Sequence, residues 1–406
     1  MARYLDYAPE QGWLLPPRVD DELGPDHLAL FVHEVVEKLN LSAFEAAYSD
    51  DGRPAYPPEL MLKVWLYAYA VEVTSSRRLE QRIREDLGFR LLAGGLKPDH
   101  WTLNQFRRTH RRALNDVFTQ VLEAARGLGL GKLGRVAIDS TRVEADASPD
   151  RGDTIESLRR ERARIRRRIR RWQQRCDRQD EDETPSGATD VPQDWRRRLD
   201  EIPKQLEQLR KSCQKRGSRS DPESRWVKKR GGFCLGYLAD AAVSDDHLIV
   251  AQRVHQGTTD HGSLAVMTEL VEQECGERPQ AVLADSGYYS SGPIAEVEAK
   301  GIAVWTPDQL MTRELEGKQD APEMNARQQR RSPGLQQRRE RLRGPTGRAM
   351  YARRKALVEL VFGVLKQQRG MRRFRCRGLA AVQVEWSLAS TAFNLTRMHN
   401  SRRTAA

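Results

Sequence analysis

The chain has 406 residues, a formal net charge of +12 and a sequence pI of about 9.6, which allow a large core in two or three domains and favour a polyanionic partner. Five cysteines without a CxxC pair argue against a disulfide framework and a zinc finger, and we expect free thiols in a reducing cytoplasm. The lack of a long apolar run, a signal-peptide pattern and a GxxxxGK[ST] motif argues against membrane insertion and ATP-driven chemistry.

Residues 1–130 have the apolar spacing of helices and predict an all-α N-terminal domain. The stretch ELMLKVWLYAYAV follows Pro57 and Pro58 and is apolar on most sides, which predicts a buried helix. Thr102 and Gln105 have capping-box spacing, so we predict that a long helix begins there.

Arginines on that long helix form a basic face. Two helices joined by GFRLLAGGLKPDHW are compatible with a loose helix-turn-helix, whose basic face would meet DNA. A solvated helix face is an equally good interpretation. The candidate DNA contacts here are Arg107, Arg108 and Arg111.

Four glycines between Gly127 and Gly134 predict a domain boundary. The next segment, RVAID, has the pattern of a buried strand that ends in Asp139. Residues 150–220 then interrupt the α/β pattern with two helical stretches around an acidic loop, which predict an inserted helical hairpin. Its first helix is rich in arginine, which fits the charged exterior of a coiled coil or an arm that binds DNA or mediates dimerisation, and the mutual repulsion of these charges favours a phosphate partner.

Strand patterns return after residue 231. FCLGYLADAAVS and HLIVAQRVHQG predict a hairpin, Asp260 is predicted to cap the following helix, and QAVLAD is a buried strand that ends in Asp285. IAVWTP predicts one more strand. Residues 311–350 contain few apolar side chains, so we predict a flexible basic loop there.

The stretch AMYARRKALVELVFGVLKQQRG predicts a helix with two different faces. The predicted apolar face contains Leu357, Leu360, Val361, Val364 and Leu365. The opposite face contains Lys355, Glu359, Gly363 and Lys366. On this second face the glutamate could bind a cation and the lysines could bind a phosphate chain. An exposed helix with a Lys–Glu pair is an alternative interpretation.

These segments resemble the DDE transposases of bacterial insertion sequences, closest to the insertion-sequence group numbered eleven-eighty-two. The resemblance rests on YPPELMLKVWLYAYAVEVTSSRRLE, AIDSTRVEADAS, VLADSGYYS and RKALVELVFGVLKQQRGMRRFRCRGL, with a Glu followed seven residues later by a Lys. The chain departs from the usual pattern at Lys355, where an arginine is usual, and at Tyr351, which is displaced by one residue.

The resemblance implies an α/β fold with a ribonuclease-H-like mixed sheet flanked by helices. The catalytic domain would contain residues 131–149 and 221–400, with residues 150–220 as the inserted hairpin. The resemblance also implies that Asp139, Asp285 and Glu359 converge and bind two Mg²⁺ or Mn²⁺ ions, since three hard oxygen ligands suit these metals.

The implied activity is cleavage and transfer of DNA strands at the terminal inverted repeats of the element. We expect double-stranded DNA and target DNA as partners, a homodimer on DNA, no membrane, and a bacterial, nucleoid-associated location. The implied phosphate contacts are Lys366, Lys355, Arg369, Arg372 and Arg373. Two alternatives are a DNA-binding repressor without chemistry and a plain metal-dependent nuclease.

Overall fold

The computed structural model describes residues 18–48, 54–148, 152–180, 190–211, 216–229, 232–320 and 334–405. Within these ranges the chain is a mixed α/β protein, in which helices from both ends of the sequence pack around one mixed sheet. No helix in these ranges combines the length and the apolar character needed to cross a bilayer.

Short helices precede the main sheet. They are α1 (Leu28–Val36), α2 (Ser42–Glu45), α3 (Pro58–Ala70), α4 (Ser76–Glu85), α5 (Leu87–Leu92), α6 (His100–Thr109) and α7 (Arg111–Gly127). The sequence of α3 is apolar on nearly all sides, and its central residues Trp65 and Leu66 are fully buried. The helix begins at Pro58, where the missing proline N–H has no helical partner to lose.

A break at His110 divides the long helix predicted from the capping box. The N-cap of α6 is Asp99, whose carboxylate accepts a hydrogen bond from the Thr102 N–H at 2.7 Å. The backbone of His110 leaves the helical region, with φ −99° and ψ 36°, and its ring packs against Phe106. The prediction of Thr102 as the cap is therefore wrong, because an acidic cap lies three residues earlier.

Eight strands follow in the described ranges. They are β1 (Arg135–Glu144), β2 (Gly152–Thr154), β3 (Arg216–Ser218), β4 (Arg225–Lys229), β5 (Gly232–Ser244), β6 (Ile249–His255), β7 (Ala281–Leu283) and β8 (Ala303–Trp305). In the main sheet β5 pairs antiparallel with β1 on one side and with β4 and β6 on the other. β7 lies parallel to β1, and β8 lies parallel to β7. The order across the sheet is therefore β6, β5, β1, β7 and β8, with β4 beside the first part of β5.

An antiparallel helix pair, which we call the arm, is inserted between β1 and β4. The arm consists of β2, α8 (Ile155–Asp180), α9 (Gln193–Lys211) and β3, and the two short strands pair at its base. The helices share a small apolar core that is separate from the main one. Its buried members are Leu158, Ile202, Leu206 and Leu209.

The remaining helices cover the sheet. They are α10 (Ser263–Cys275), α11 (Ser291–Ala299), α12 (Gln309–Leu315), α13 (Leu335–Arg343), α14 (Pro345–Gly363) and α15 (Leu379–Ala405). α14 continues directly into a π-helical turn, Val364–Gln368.

Residues 311–315, 335–343 and 345–350 are helical, which differs from the predicted flexible loop, whereas residues 316–320 are not, and residues 321–333 lie outside the described ranges. Arginines of α13 bind acids of neighbouring elements: Arg338 pairs with Glu298 at 3.0 Å, and the Arg339 guanidinium pairs with Asp308 at 2.6 Å. Both arginines are buried. The low apolar content misled the prediction because buried ion pairs replace apolar contacts in this segment.

Helix α15 connects the N-terminal helices to the sheet. It packs on α3, α7 and β6, and the buried residues on both sides form one continuous core. The Asn394 side chain accepts a hydrogen bond from the Ile249 N–H at 2.9 Å and donates one to the Ile249 carbonyl at 2.8 Å. The Trp386 indole, predicted to lie inside, is fully buried and donates to the Asp240 carbonyl at 3.2 Å.

Candidate active site

Two of the predicted acids meet at the centre of the sheet. Asp139 belongs to β1, and Asp285 follows the end of β7. These strands are parallel, and their register pairs Ala137 with Leu283. Asp139 and Asp285 each lie two residues beyond this pair, and the charge of Asp285 is close enough to raise the pKa of Asp139.

Asp139 lies in a largely buried position. One carboxylate oxygen accepts a hydrogen bond from the Ser140 N–H at 2.8 Å, and the other lies 3.2 Å from the Arg354 guanidinium. Burial raises the pKa of Asp139 to about 7; Arg354 opposes this rise and the neighbouring Asp285 adds to it. A cation beside these two acids would therefore be strongly favoured.

Asp285 has no basic side chain within ion-pair distance among the described residues. Its carboxylate accepts a hydrogen bond from the Gly287 N–H at 2.9 Å. By contrast, the fully buried Asp240 is paired with Arg253 at 2.8 Å and with His255 at 3.2 Å. Asp285 is thus the carboxylate whose charge still lacks a partner, whereas that of Asp240 is already balanced.

A third acid, Asp260, joins the pair. Its carboxylate accepts a hydrogen bond from the Ser140 hydroxyl at 2.5 Å and, like that of Asp285, lies close to the position that a Cβ would take on Gly287, at 3.1 and 3.0 Å respectively. Burial raises the pKa of Asp260, the Ser140 hydroxyl opposes this, and Asp285 adds to it. The prediction of Asp260 as a helix cap is wrong, because α10 begins three residues later with Gly262 as its N-cap.

The only signal for Asp260 in the sequence was its position shortly after the strand-like segment HLIVAQRVHQG. A polar loop that ends in an acid is also typical of an ordinary cap. The sequence therefore did not distinguish the two roles, and the pairing with Ser140 across the sheet does.

Glu359 does not lie with the other acids. Its side chain is 64% exposed, and its carboxylate lies 3.8 Å from Lys355 on the same helix. Within the described ranges no group of three acidic, histidine or cysteine side chains is arranged to hold a metal ion. Of the three predicted ligands, the structure brings Asp139 and Asp285 together and leaves Glu359 in solvent.

The rotation of α14 about its axis explains this placement. The helix buries Leu357, Val358 and Val361, whereas Leu360, predicted to be on the apolar face, is 43% exposed. The residue that faces Asp139 is Arg354, whose side chain is only 11% exposed and lies over the Tyr351 ring. The predicted apolar face thus contained the wrong residue at one position, and the side chain that α14 places beside Asp139 is Arg354 and not Glu359.

Lys366 faces the sheet from the π-helical turn. Its ammonium donates a hydrogen bond to the Thr141 hydroxyl at 2.6 Å, and Thr141 lies two residues beyond Asp139 on β1. Burial lowers the pKa of Lys366, and the nearby Arg142 lowers it further. Because a π turn changes the helical phase, Lys366 points to the sheet while Glu359 does not.

Two predicted DNA contacts are core residues instead. Arg107 is 5% exposed, and its guanidinium stacks 3.9 Å from the Trp65 ring centre and donates to the Tyr69 hydroxyl at 2.8 Å. Arg369 is also 5% exposed and donates to the Thr396 hydroxyl at 2.8 Å, and burial lowers its pKa to about 10. Both side chains are unavailable to a ligand at the surface.

The other predicted contacts lie at or near the surface. Arg108 is exposed, Arg111 is half-buried, and Lys355 is exposed beside Glu359. Arg372 is exposed and bonded to Gln367, and Arg373 pairs with Asp146 at 2.9 Å. Their positions are compatible with phosphate contact.

Paired aspartates on adjacent parallel strands of a mixed sheet define an α/β protein with an acidic site at the centre of that sheet. Residues 192–395, just over half of the chain, match the family described as Transposase DDE domain, and residues 17–109 match the family described as Transposase domain (DUF772). No curated protein and no solved structure matches the chain significantly.

The chain belongs to the DDE transposase family. The family match includes Asp285 and Glu359, whereas Asp139 lies before it. Membership implies a DNA transposase with nuclease and transposition activity and therefore binding to DNA.

Proposed function

We propose that the protein binds the terminal inverted repeats of its insertion sequence and catalyses metal-dependent cleavage and transfer of DNA strands. The observation that carries this proposal is the placement of Asp139 beside Asp285 on adjacent parallel strands in a chain of the DDE transposase family. Transesterification exchanges one phosphodiester bond for another, so the absence of an ATP-binding motif is compatible with it.

The strand order supports a ribonuclease-H-like catalytic domain. Three antiparallel strands, β6, β5 and β1, are followed across the sheet by β7 and β8, which run parallel to β1. We assign this domain to residues 131–149 and 221–400, the arm to the inserted residues 150–220, and a DNA-binding role to residues 1–130. We also retain the placement in the insertion-sequence group numbered eleven-eighty-two.

The acids at the centre of the sheet fit a hard divalent cation. All their donors are carboxylate oxygens, which Mg²⁺ and Mn²⁺ prefer, and the raised pKa of Asp139 reflects a buried negative charge that lacks full compensation. Asp139 and Asp285 would hold the metal, with Asp260 adjacent. Two such ions, when bound, would supply activation of a water or 3′-hydroxyl and stabilisation of the leaving oxygen.

The chain's own residues would act around this centre. Arg354, which now neutralises Asp139, would release it and turn toward a phosphate. Glu359 would become the third acidic ligand through a rearrangement of α14 that turns its side chain toward Asp139 and Asp285. Lys366, held by Thr141 on the same strand as Asp139, would bind a phosphate near the cleaved end.

The proposed partners are double-stranded DNA, as the terminal repeats and the target, and a second copy of the chain on that DNA. Lys355, Arg372, Arg373, Arg108 and Arg111 are the proposed surface contacts. We place the protein in the bacterial cytoplasm in association with the nucleoid.

The test is incubation with Mg²⁺ and labelled DNA that carries the ends of the encoding element, with mapping of nicks and joined products. We expect cleavage at the element ends by the wild type and none by Asp285→Asn, which should bind the ends with nearly unchanged affinity. The control is Glu340→Gln, which alters an exposed acid on α13. Cleavage by Asp285→Asn at the wild-type rate would overturn the proposal.

A second candidate is a DNA-binding repressor without catalytic activity. The exposed position of Glu359 and the occupation of Asp139 by Arg354 favour it. The same assay distinguishes the two, since a repressor would bind the element ends and leave them uncut at every Mg²⁺ and Mn²⁺ concentration.

A further inference from the structure

Ten arginines and only two acids lie between Ile155 and Cys176 of α8. Five of these arginines have the spacing of one helical stripe, opposite the apolar seam that packs on α9. The stripe, which we call the arginine stripe, consists of Arg160, Arg164, Arg167, Arg171 and Arg175. All five side chains are exposed, and the stripe is about 22 Å long at the helical rise per residue.

Most of the arginine stripe lacks acidic partners. Among the described side chains only Arg160 has one, Glu156 on the same helix. Neighbours three and four residues apart therefore repel one another, by a few tenths of a kcal/mol for each pair. A stripe that opposes the folding of its own helix is well explained by a ligand of opposite charge.

The base of the arm shows the contrasting arrangement. Arg198 and Arg219 are both bound to Glu161, each at 3.0 Å, and Arg219 also bonds Asp153 at 2.9 Å. Arg198 and its two acidic neighbours are largely buried. These arginines hold the arm together, whereas four of the five stripe arginines have no acidic partner among the side chains that the structure describes.

Two other classes of partner fit the stripe poorly. A lipid surface would need an apolar face next to the charges, but the apolar seam of α8 is already occupied by α9, and Leu158 is fully buried. A second copy of this chain carries the same net charge of +12 and would be repelled over most approaches. A nucleic-acid duplex presents a continuous line of phosphates that matches an extended row of cations.

We infer that the arginine stripe of α8 is a DNA-binding surface that tracks the phosphate backbone of duplex DNA without reading its sequence. The inference rests on the proposed function for the identity of the nucleic acid. The arm follows directly after β1, which carries Asp139, so the strand that supplies the catalytic acid leads into the surface that holds flanking DNA. Guanidinium groups suit this role because they bind phosphate oxygens in pairs.

The test measures affinity for a labelled DNA duplex by fluorescence anisotropy at several salt concentrations, with EDTA present so that no cleavage occurs. The stripe variant is Arg164→Gln, Arg167→Gln and Arg171→Gln together in the full chain. Losing three phosphate contacts should lower the slope of log affinity against log salt by about 2.7 and weaken binding at least about tenfold at moderate salt. The loss should be equal for duplexes with and without the element ends.

A matched control removes three charges from α9 instead: Arg196→Gln, Arg197→Gln and Lys211→Gln. Each of these basic side chains lies within 4 Å of a carboxylate, on Asp190, Asp194 and Glu207 respectively. We expect this variant to keep the wild-type slope. Replacing the same three stripe residues by lysine should keep most of the slope, and single Gln variants should lower it by about one each, which preserves the test if the triple variant fails to fold.

An unchanged slope in the folded stripe variant would overturn the inference. So would a loss of self-association in sedimentation with unchanged DNA affinity, which would assign the stripe to a contact between copies. Failure of the proposed function is a separate result. If the salt slope depends on the stripe but the element ends are not cleaved, the inference about the stripe stands and the proposed function fails. If the ends are cleaved but the slope does not depend on the stripe, the proposed function stands and the inference fails.

Discussion

Asp139 and Asp285 are held by the hydrogen-bonded register of two strands, whereas Glu359 is held only by the rotational setting of α14. Strand register changes in whole residues and at the expense of many hydrogen bonds, so the two aspartates are fixed side by side. A helix can turn about its axis while it keeps all its internal bonds. The proposed site therefore combines a rigid half on the sheet, Asp139 and Asp285, with an adjustable half on the helix, Glu359.

The largest expected effect concerns the adjustable half. Glu359→Gln should reduce cleavage at least about a thousandfold, because the proposed active arrangement needs a third charged ligand. Its free energy of unfolding should change by less than about 0.5 kcal/mol, since the side chain is exposed. Cleavage assays and urea unfolding check both parts, with the exposed Glu340→Gln on α13 as the control. Cleavage at the wild-type rate by Glu359→Gln would show that Glu359 is not a ligand and that the acids on the sheet are sufficient.

The observed setting of α14 can be tested through its packing. Val358→Ala should lower the free energy of unfolding by about 2 kcal/mol because Val358 is fully buried. Leu360→Ala removes more atoms but should cost less than about 1 kcal/mol, because Leu360 is largely exposed. Urea unfolding of both variants measures these two changes in the free energy of unfolding. A larger loss for Leu360→Ala would mean that the free protein buries Leu360 in place of Val358.

Arg354 and Arg353 provide a matched pair for the link between helix and sheet. Arg354→Gln should raise the affinity for Mn²⁺ about tenfold, because it removes a cation that competes for Asp139. Arg353→Gln should leave the affinity unchanged, because Arg353 pairs with Asp245 at 2.8 Å instead. Calorimetric titration with Mn²⁺ measures the affinity of both variants. If Arg354→Gln and Arg353→Gln bind Mn²⁺ equally well, Arg354 does not occupy the cation position.

The smallest expected effect is a pH dependence of the free energy of unfolding, which comes from Asp139 in the rigid half. Folding raises the pKa of Asp139 from 3.8 to about 7, so between these values the folded protein binds more protons than the unfolded chain. The free energy of unfolding should therefore fall as pH rises through this window, by at least about 1 kcal/mol from this group. Asp139→Asn should show a correspondingly flatter profile in metal-free urea unfolding. Identical slopes would indicate that Asp139 is ionised throughout.

Much of the rigid half could be predicted from the sequence. A run of apolar residues that ends in an acid is typical of a buried strand at a site, and both RVAID and QAVLAD have this form. The neighbouring placement of the two strands came from the family resemblance, because periodicity within a strand says nothing about its neighbours. The structure then added Asp260, whose partner Ser140 is 120 residues away.

The adjustable half could not be predicted in the same way. Each residue changes a helical direction by about 100°, so the apolar pattern assigned Leu360 to the buried face in place of Val358, and it gave no sign that Arg354 faces Asp139. Charge alone also misled the interpretation of Arg107, which looks like a surface cation until Trp65 and Tyr69 are known to enclose it. Both errors arise where contacts between distant segments outweigh local pattern.

The packing of helix α15 affects how the protein folds during its synthesis. During translation it leaves the ribosome after every element that it touches, yet its Asn394 satisfies both backbone groups of Ile249 in β6 and its buried face fills the space between α3, α7 and the sheet. Until then the nascent polypeptide exposes two unfinished apolar surfaces. The proposed cleavage site lies on the sheet, so a premature stop anywhere before this helix should yield a protein without cleavage activity.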